Sequence, residues 1–171
     1  MIRLRPADLD RLAGWAEAAY PQEACALLAG RPRPCAVIDL TRLEASRNLA
    51  AAPDRAFEVD LGLRIGLERD LRERPDAGDH GAERLVGLWH SHPDGPAMPS
   101  ERDRLAVQED LLWLVTSVRS GRACQTRAFR PLLGPGRPGP RHRIGGFRPV
   151  AGFQEEALVV HEQQPTGEDR R

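Results

Sequence analysis

Lysine is absent from this chain: all 25 basic residues are arginine, and 25 acidic residues balance them to a formal net charge of zero. Without lysine there can be no Gly-x-x-x-x-Gly-Lys phosphate loop, and no side-chain amine is open to isopeptide attachment. A GC-rich coding sequence explains the gap most simply, since Arg, Ala, Gly and Pro abound while asparagine occurs once, at Asn48. The balanced charge supplies no field to hold nucleic acid, so no nucleic-acid partner is expected. No run of about 18 apolar residues occurs, and Met1–Pro6 carries no apolar targeting core. The expectation is a cytoplasmic chain with no membrane partner. The three cysteines, Cys25, Cys35 and Cys124, are odd in number and contain no Cys-x-x-Cys pair. That excludes a disulfide framework and fits reduced thiols, with Cys25 in a packing role. His-Glu-x-x-His is missing, as is the His-x-Glu plus Pro-Cys-x-x-Cys pattern of zinc deaminases.

The order of elements follows from periodicity. Asp8 to Tyr20 reads as a helix, with Leu9, Leu12, Ala16 and Ala19 at helical spacing and Pro21 closing it. Strands are expected at Ala24 to Ala29 and Cys35 to Leu43, followed by a loop from Arg47 to Arg55 and a short strand at Ala56 to Val59. Asp60 can cap a second helix in which Leu63, Leu67 and Leu71 recur four apart. Pro75 to Gly81 is turn-rich. Leu111 to Val115 and Gln125 to Phe129 read as further strands, with a last one near Ala157 to Val160. Strands interleaved with a few helices predict an α/β (α+β) domain over residues 1–162, a mixed central sheet flanked by helices. Residues 131–149 hold five prolines and five glycines and predict an irregular loop. From Arg119 to Arg148 there are eight arginines and no acid, so this stretch is either a docking loop for an acidic partner or a solvated connection. Residues 163–171 read as a polar tail.

The chemistry concentrates in Trp89-His90-Ser91-His92-Pro93 and Pro99-Ser100-Glu101-Arg102-Asp103. The run Leu85 to Trp89 is a strand leading into His90, and residues two apart on a strand share a face. His90 and His92 therefore project together, about 6.6 Å apart at their Cα atoms, with Ser91 opposite. Ten residues separate His92 from Asp103, which falls in the first turn of a helix capped by Ser100. Ser-x-x-Asp before a helix is also capping-box chemistry, and the two roles are compatible. Two imidazoles and a carboxylate suit zinc and leave a coordination position open, the mark of a catalytic site. Such a site needs a base, and Glu23, in Pro21-Gln22-Glu23-Ala24-Cys25, is the candidate. His80, His142 and His161 lack matching partners and read as surface residues.

An upstream glutamate, His-x-His, then Asp with Ser three residues before it, resembles the JAMM (MPN-plus, Mov34/JAB) zinc metallopeptidase family, stand-alone bacterial type. The likeness runs from the first helix to about Arg130 and departs from the family at Ala26, where glycine is usual. The resemblance implies a JAB/MPN-type domain with cytidine-deaminase-like layering. It further implies one zinc on His90, His92 and Asp103, Glu23 as general acid/base, and Ser100 as oxyanion donor. The activity it implies is hydrolysis of a peptide or isopeptide bond, after the C-terminal Gly-Gly of a ubiquitin-like sulfur carrier protein or its adduct. Two other readings stand beside it: a non-catalytic MPN-type scaffold or binding module, and a peptidase acting on small peptides or cell-wall fragments. Oligomeric state is left open.

Overall fold

The computed structural model describes residues 1–74, 82–107, 111–133 and 150–161. Two apolar runs, Cys25 to Gly30 and Leu112 to Val115, show no polar alternation, as expected of strands covered on both faces. They lie in β2 (Cys25–Arg33) and β5 (Leu112–Arg119). With β1 (Ile2–Leu4), β3 (Val37–Ser46), β4 (Arg84–Pro93), β6 (Arg122–Leu133), β7 (Val150–Glu156) and β8 (Leu158–Val160), they form one eight-stranded mixed sheet in the order β7-β6-β5-β4-β2-β3-β1-β8. The observed architecture is thus the α+β domain that the pattern of elements predicts.

A helix covers each face. Helix α1 (Pro6–Ala19) starts with proline, whose missing N–H costs nothing in the first turn. Its Leu12 and Ala16 pack on Leu28, Trp89 and Leu114 in the largest core cluster. Helix α2 (Leu61–Glu73) is capped by Asp60, whose Oδ1 accepts from the Gly62 and Leu63 amides at 2.8 and 3.3 Å. Its Leu67 and Leu71 pack on Leu27 and Ala29. Because Leu27 and Leu28 are successive residues of β2, the two helices lie on opposite sides of the sheet.

Several boundaries differ from expectation for identifiable reasons. Cys35 and Ala36 do not belong to a strand; both have positive φ, 60° and 55°, and make the turn between β2 and β3. Ala56 to Val59 is not a strand either, contributing only a single bridge from Val59 to Asn48. β1 was not foreseen, since three residues carry no periodicity; it pairs in parallel with both β3 and β8. β6 runs through Pro131, which the sequence placed in an irregular loop. Its pairing with β5 ends at Phe129, while its pairing with β7 continues past Pro131, which lies opposite Phe153. β7 was also not foreseen. The remainder of the Pro/Gly segment, residues 134–149, and the tail, 163–171, lie outside the described residues, as do 75–81 with their predicted loop, His80 and His142.

Candidate metal centre

The end of β4 is gripped on both sides. It runs antiparallel to β2, with His90 opposite Cys25, and parallel to β5, with His90 beside Val115 and His92 beside Ser117. Ser91 locks the register further: its amide donates to the Ala24 carbonyl at 3.0 Å, and its Oγ accepts from the Ala24 amide at 2.9 Å. The strand carrying the histidines is thereby tied to the residue following Glu23. On the opposite face, His90 and His92 bring their Nε2 atoms to 2.9 Å. The Pro96 carbonyl lies 2.9 Å from His92 Nδ1; with Nδ1–H donating to it, Nε2 is the nitrogen that would offer a lone pair to an ion. His90 Nδ1 is buried and has no hydrogen-bond partner.

Helix α3 (Glu101–Ala106) delivers the third group. Ser100 is its N-cap: Ser100 Oγ accepts from the Asp103 amide at 3.1 Å, while Asp103 Oδ2 accepts from the Ser100 amide at 2.6 Å. This reciprocal cap fixes the Asp103 rotamer and aims the carboxylate at the histidines, 3.4 Å from His90 Nε2 and 3.3 Å from His92 Nε2. Donors bound at 2.0–2.1 Å in a tetrahedral set lie about 3.3 Å from one another. The three side chains therefore fit an ion of zinc's size and preference. Ser100 itself is exposed at the mouth of this group, and its hydroxyl hydrogen has no acceptor among the described residues.

Glu23 comes from the chain just before β2. A donor atom of its carboxylate lies with one from His90 and one from His92 inside a cluster spanning at most 4.8 Å, and all three residues are buried. Its Oε2 has no partner. The backbone, by contrast, is held from two sides, by the Glu23 amide donating to Pro53 at 2.7 Å and by Asn48 Nδ2 donating to the Glu23 carbonyl at 2.9 Å.

The electrostatics separate the two carboxyls. Burial pushes Glu23 up to about 7, partly offset by the charge of His92 and reinforced by Asp103. Burial acts upward on Asp103 too, but hydrogen bonds from His90 and His92 and from the Ser100 amide outweigh it and hold Asp103 well below the usual carboxylate range. Burial keeps His90 low and therefore neutral, the form that binds metal. His92 feels burial as well, yet Asp103, Pro96 and Glu23 together raise it.

Glu23, His90, His92 and Asp103 thus meet at one place, and Ser100 caps the helix that brings Asp103 there. Ala26, the departure from the family pattern, is fully buried in the core cluster containing Trp89 and Leu28, so its methyl group fills core space. Three participants were missed. Ser91 was assigned only an opposite face. Phe57, read as a strand residue, stacks on the His90 ring at 4.3 Å and 19°. Asn48 carried one signal, its being the chain's single asparagine.

Residues 6–130 match the family described as prokaryotic homologs of the JAB domain. The chain is 31% identical over 133 residues to tail tip assembly protein K of Escherichia phage N15, a match covering 76% of this chain and 47% of that protein. It is 34% identical over 84 residues to a desampylase of Haloferax volcanii, covering 49% of this chain and 53% of the relative. The chain therefore spans about half the length of these curated relatives. The solution structure of a protein from Desulfitobacterium hafniense superposes with a TM-score of 0.69 at 27% identity, over 96% of each chain. One from Salinibacter ruber shares the fold, with a TM-score of 0.61 at 24% identity over 94% of this chain and 92% of that one.

Proposed function

Because the chain belongs to the prokaryotic JAB-domain family, we propose that it is a zinc-dependent hydrolase of peptide or isopeptide bonds, with His90, His92 and Asp103 holding one ion. The observation that carries this reading is the convergence of His90 Nε2, His92 Nε2 and the Asp103 carboxylate within 2.9–3.4 Å beside a buried, unpartnered oxygen of Glu23. Between the two carboxyls, Asp103 is the ligand: it stays ionised and meets both imidazoles at ligand spacing. Glu23 is the base, since a group poised near neutrality can both take and return a proton.

When bound, zinc supplies Lewis acidity, which polarises a carbonyl and acidifies water. The residues of the chain do the rest. Glu23 Oε2 accepts the proton of the attacking water and passes it to the departing amine. The Ser100 hydroxyl donates to the oxygen on which negative charge develops. His92 is held in its ligating tautomer by the Pro96 carbonyl.

The substrate we propose is the C-terminal Gly-Gly region of a ubiquitin-like sulfur carrier protein or its adduct. The family resemblance and the similarity to a desampylase support it. The experiment that tests this reading also separates it from the alternative of a small-peptide substrate. The decisive experiment has two arms. Zinc is counted per chain in the parent and in Asp103→Ala, with about one and little expected. Cleavage of a carrier fusion is then followed for the parent and Glu23→Gln. Turnover that ignores bulky replacements of Gly-Gly favours the small-peptide reading, and a parent that takes no zinc on reconstitution favours a binding module.

A further inference from the structure

The two histidines are anchored differently. His92 has a backbone carbonyl on Nδ1, the usual way a ligating imidazole is oriented. His90 has none, because its Nδ1 is buried without a partner. Beyond Nε2, which faces His92 and Asp103, the His90 ring is held by aromatic contacts: Phe57 lies flat on it at 4.3 Å and 19°, while Trp113 meets it edge-on at 5.6 Å and 86°. Trp113 is set by its strand, β5. Phe57 lies in no strand or helix; its ring packs with Trp113 and Phe129, and something must also hold its backbone in place.

That something is the carboxamide of Asn48. Its Nδ2 donates to the Ala56 carbonyl at 2.8 Å and its Oδ1 accepts from the Glu58 amide at 3.1 Å, which brackets Phe57 on both sides. Oδ1 also accepts from the Ala50 amide at 3.0 Å. The same Nδ2 donates to the Glu23 carbonyl at 2.9 Å. A single side chain thus holds the backbone of the proposed base and the loop that seats the aromatic clamp on a proposed ligand. We infer that Asn48 is a positioning residue that couples the placement of Glu23 to that of the His90 imidazole, acting on the latter through Phe57.

This inference rests on the zinc-hydrolase reading for its consequences but not for its geometry, and the test keeps the two apart. Asn48→Asp preserves size and acceptor capacity while removing the Nδ2 donors. Phe57→Leu removes the stack and leaves Asn48 in place. Zinc affinity is measured by competition with a chelator, and amide hydrogen exchange at Glu23 and Glu58 is measured on the metal-free proteins. For Asn48→Asp the expected result is at least about tenfold weaker zinc binding and about tenfold lower protection of the Glu23 amide. Amides of β4 and β5 keep their protection. For Phe57→Leu the zinc loss recurs while Glu23 stays protected. An Asn48→Asp protein that melts earlier yet keeps parental zinc affinity and parental Glu23 protection overturns the inference, leaving Asn48 a purely structural residue. If the parent binds no zinc, the hydrolase reading fails. The exchange arm still decides the matter, since parental protection of the Glu23 amide in Asn48→Asp refutes the coupling, and its loss there with Glu23 still protected in Phe57→Leu upholds it.

Discussion

Two carboxyls stand at the same pair of imidazoles and are driven in opposite directions. Glu23, buried with a free oxygen, titrates near 7, whereas Asp103, clasped by two histidines and a helix cap, stays charged. The linkage is direct. In the unfolded chain Glu23 ionises at about 4.3, so the fold pays nothing below that value. The cost of its buried charge grows as pH rises between the two values and is complete above about 7. Metal-stripped Glu23→Gln should therefore melt higher than the metal-stripped parent at about pH 8, with the advantage gone by about pH 4. A constant difference across that range would show that Glu23 is not held in a proton-binding environment. Ser100→Ala should lower kcat on the fusion substrate by about a hundredfold or more with little change in KM, the signature of an interaction made in the transition state. Loss of the cap adds about 1 kcal/mol of destabilisation, which a melting curve reads separately. Zinc content near the parental value would confirm that Asp103 still faces the centre.

Helix α3 is only six residues long, too short to persist by propensity, and its capping box fixes Asp103, the proposed third ligand. The sequence motif was ambiguous between capping and metal binding because the same Ser-x-x-Asp geometry satisfies both. Strand β4 depends on close approach to β5 at Gly87, where a Cβ would lie 2.5 Å from the Leu112 carbonyl oxygen and 2.9 Å from Leu112 Cβ. Neither neighbour is the end of a flexible chain. Gly87→Ala should cost about 1–3 kcal/mol in a denaturant titration and weaken zinc binding as well, because the displaced strand carries His90 three residues on. Retention of both properties would mean that the β4–β5 spacing does not set the site. Asp60→Ala, at the other well-formed cap, should cost about 1 kcal/mol and leave zinc affinity alone, since α2 contributes no group to the centre.

The proposed centre draws Glu23 from before β2, the histidines from β4 and Asp103 from α3, so it exists only when the central strands are paired. An ion bound there ties these segments together in the folded state and finds no such set in the unfolded one. Zinc restored to the metal-stripped protein should raise Tm, by the equivalent of about 2.7 kcal/mol at a hundredfold excess over Kd, and Asp103→Ala should abolish the rise. A zinc-independent Tm in the parent would argue against the centre. The sheet has a core of its own away from the centre: Trp89, Leu28, Leu114 and Leu12 are fully buried with α1 in one core cluster, on the face opposite the one carrying His90 and His92. Among the described residues no helix is long and apolar enough to cross a membrane.

The sequence alone determined those features whose signal is local. Spacing of two placed His90 and His92 on one face, a Ser-x-x-Asp cap placed Asp103 in a first helical turn, and apolar runs announced strands near Ala24 to Ala29 and Leu111 to Val115. Glu23 was legible only through resemblance, because nothing near it in the chain shows that it will be buried without a partner. Tertiary structure alone decided the rest. The opposed titration of Glu23 and Asp103 comes from burial and from neighbours supplied by other elements. The roles of Asn48 and Phe57 arise from hydrogen bonds and ring contacts across the fold, which carry no periodicity. β6 continues through Pro131 because β7 still pairs with it there, and three-residue β1 forms because β3 and β8 flank it. In each case the deciding energy lies in a contact between residues distant in sequence, and a pattern read along the chain holds no record of such contacts.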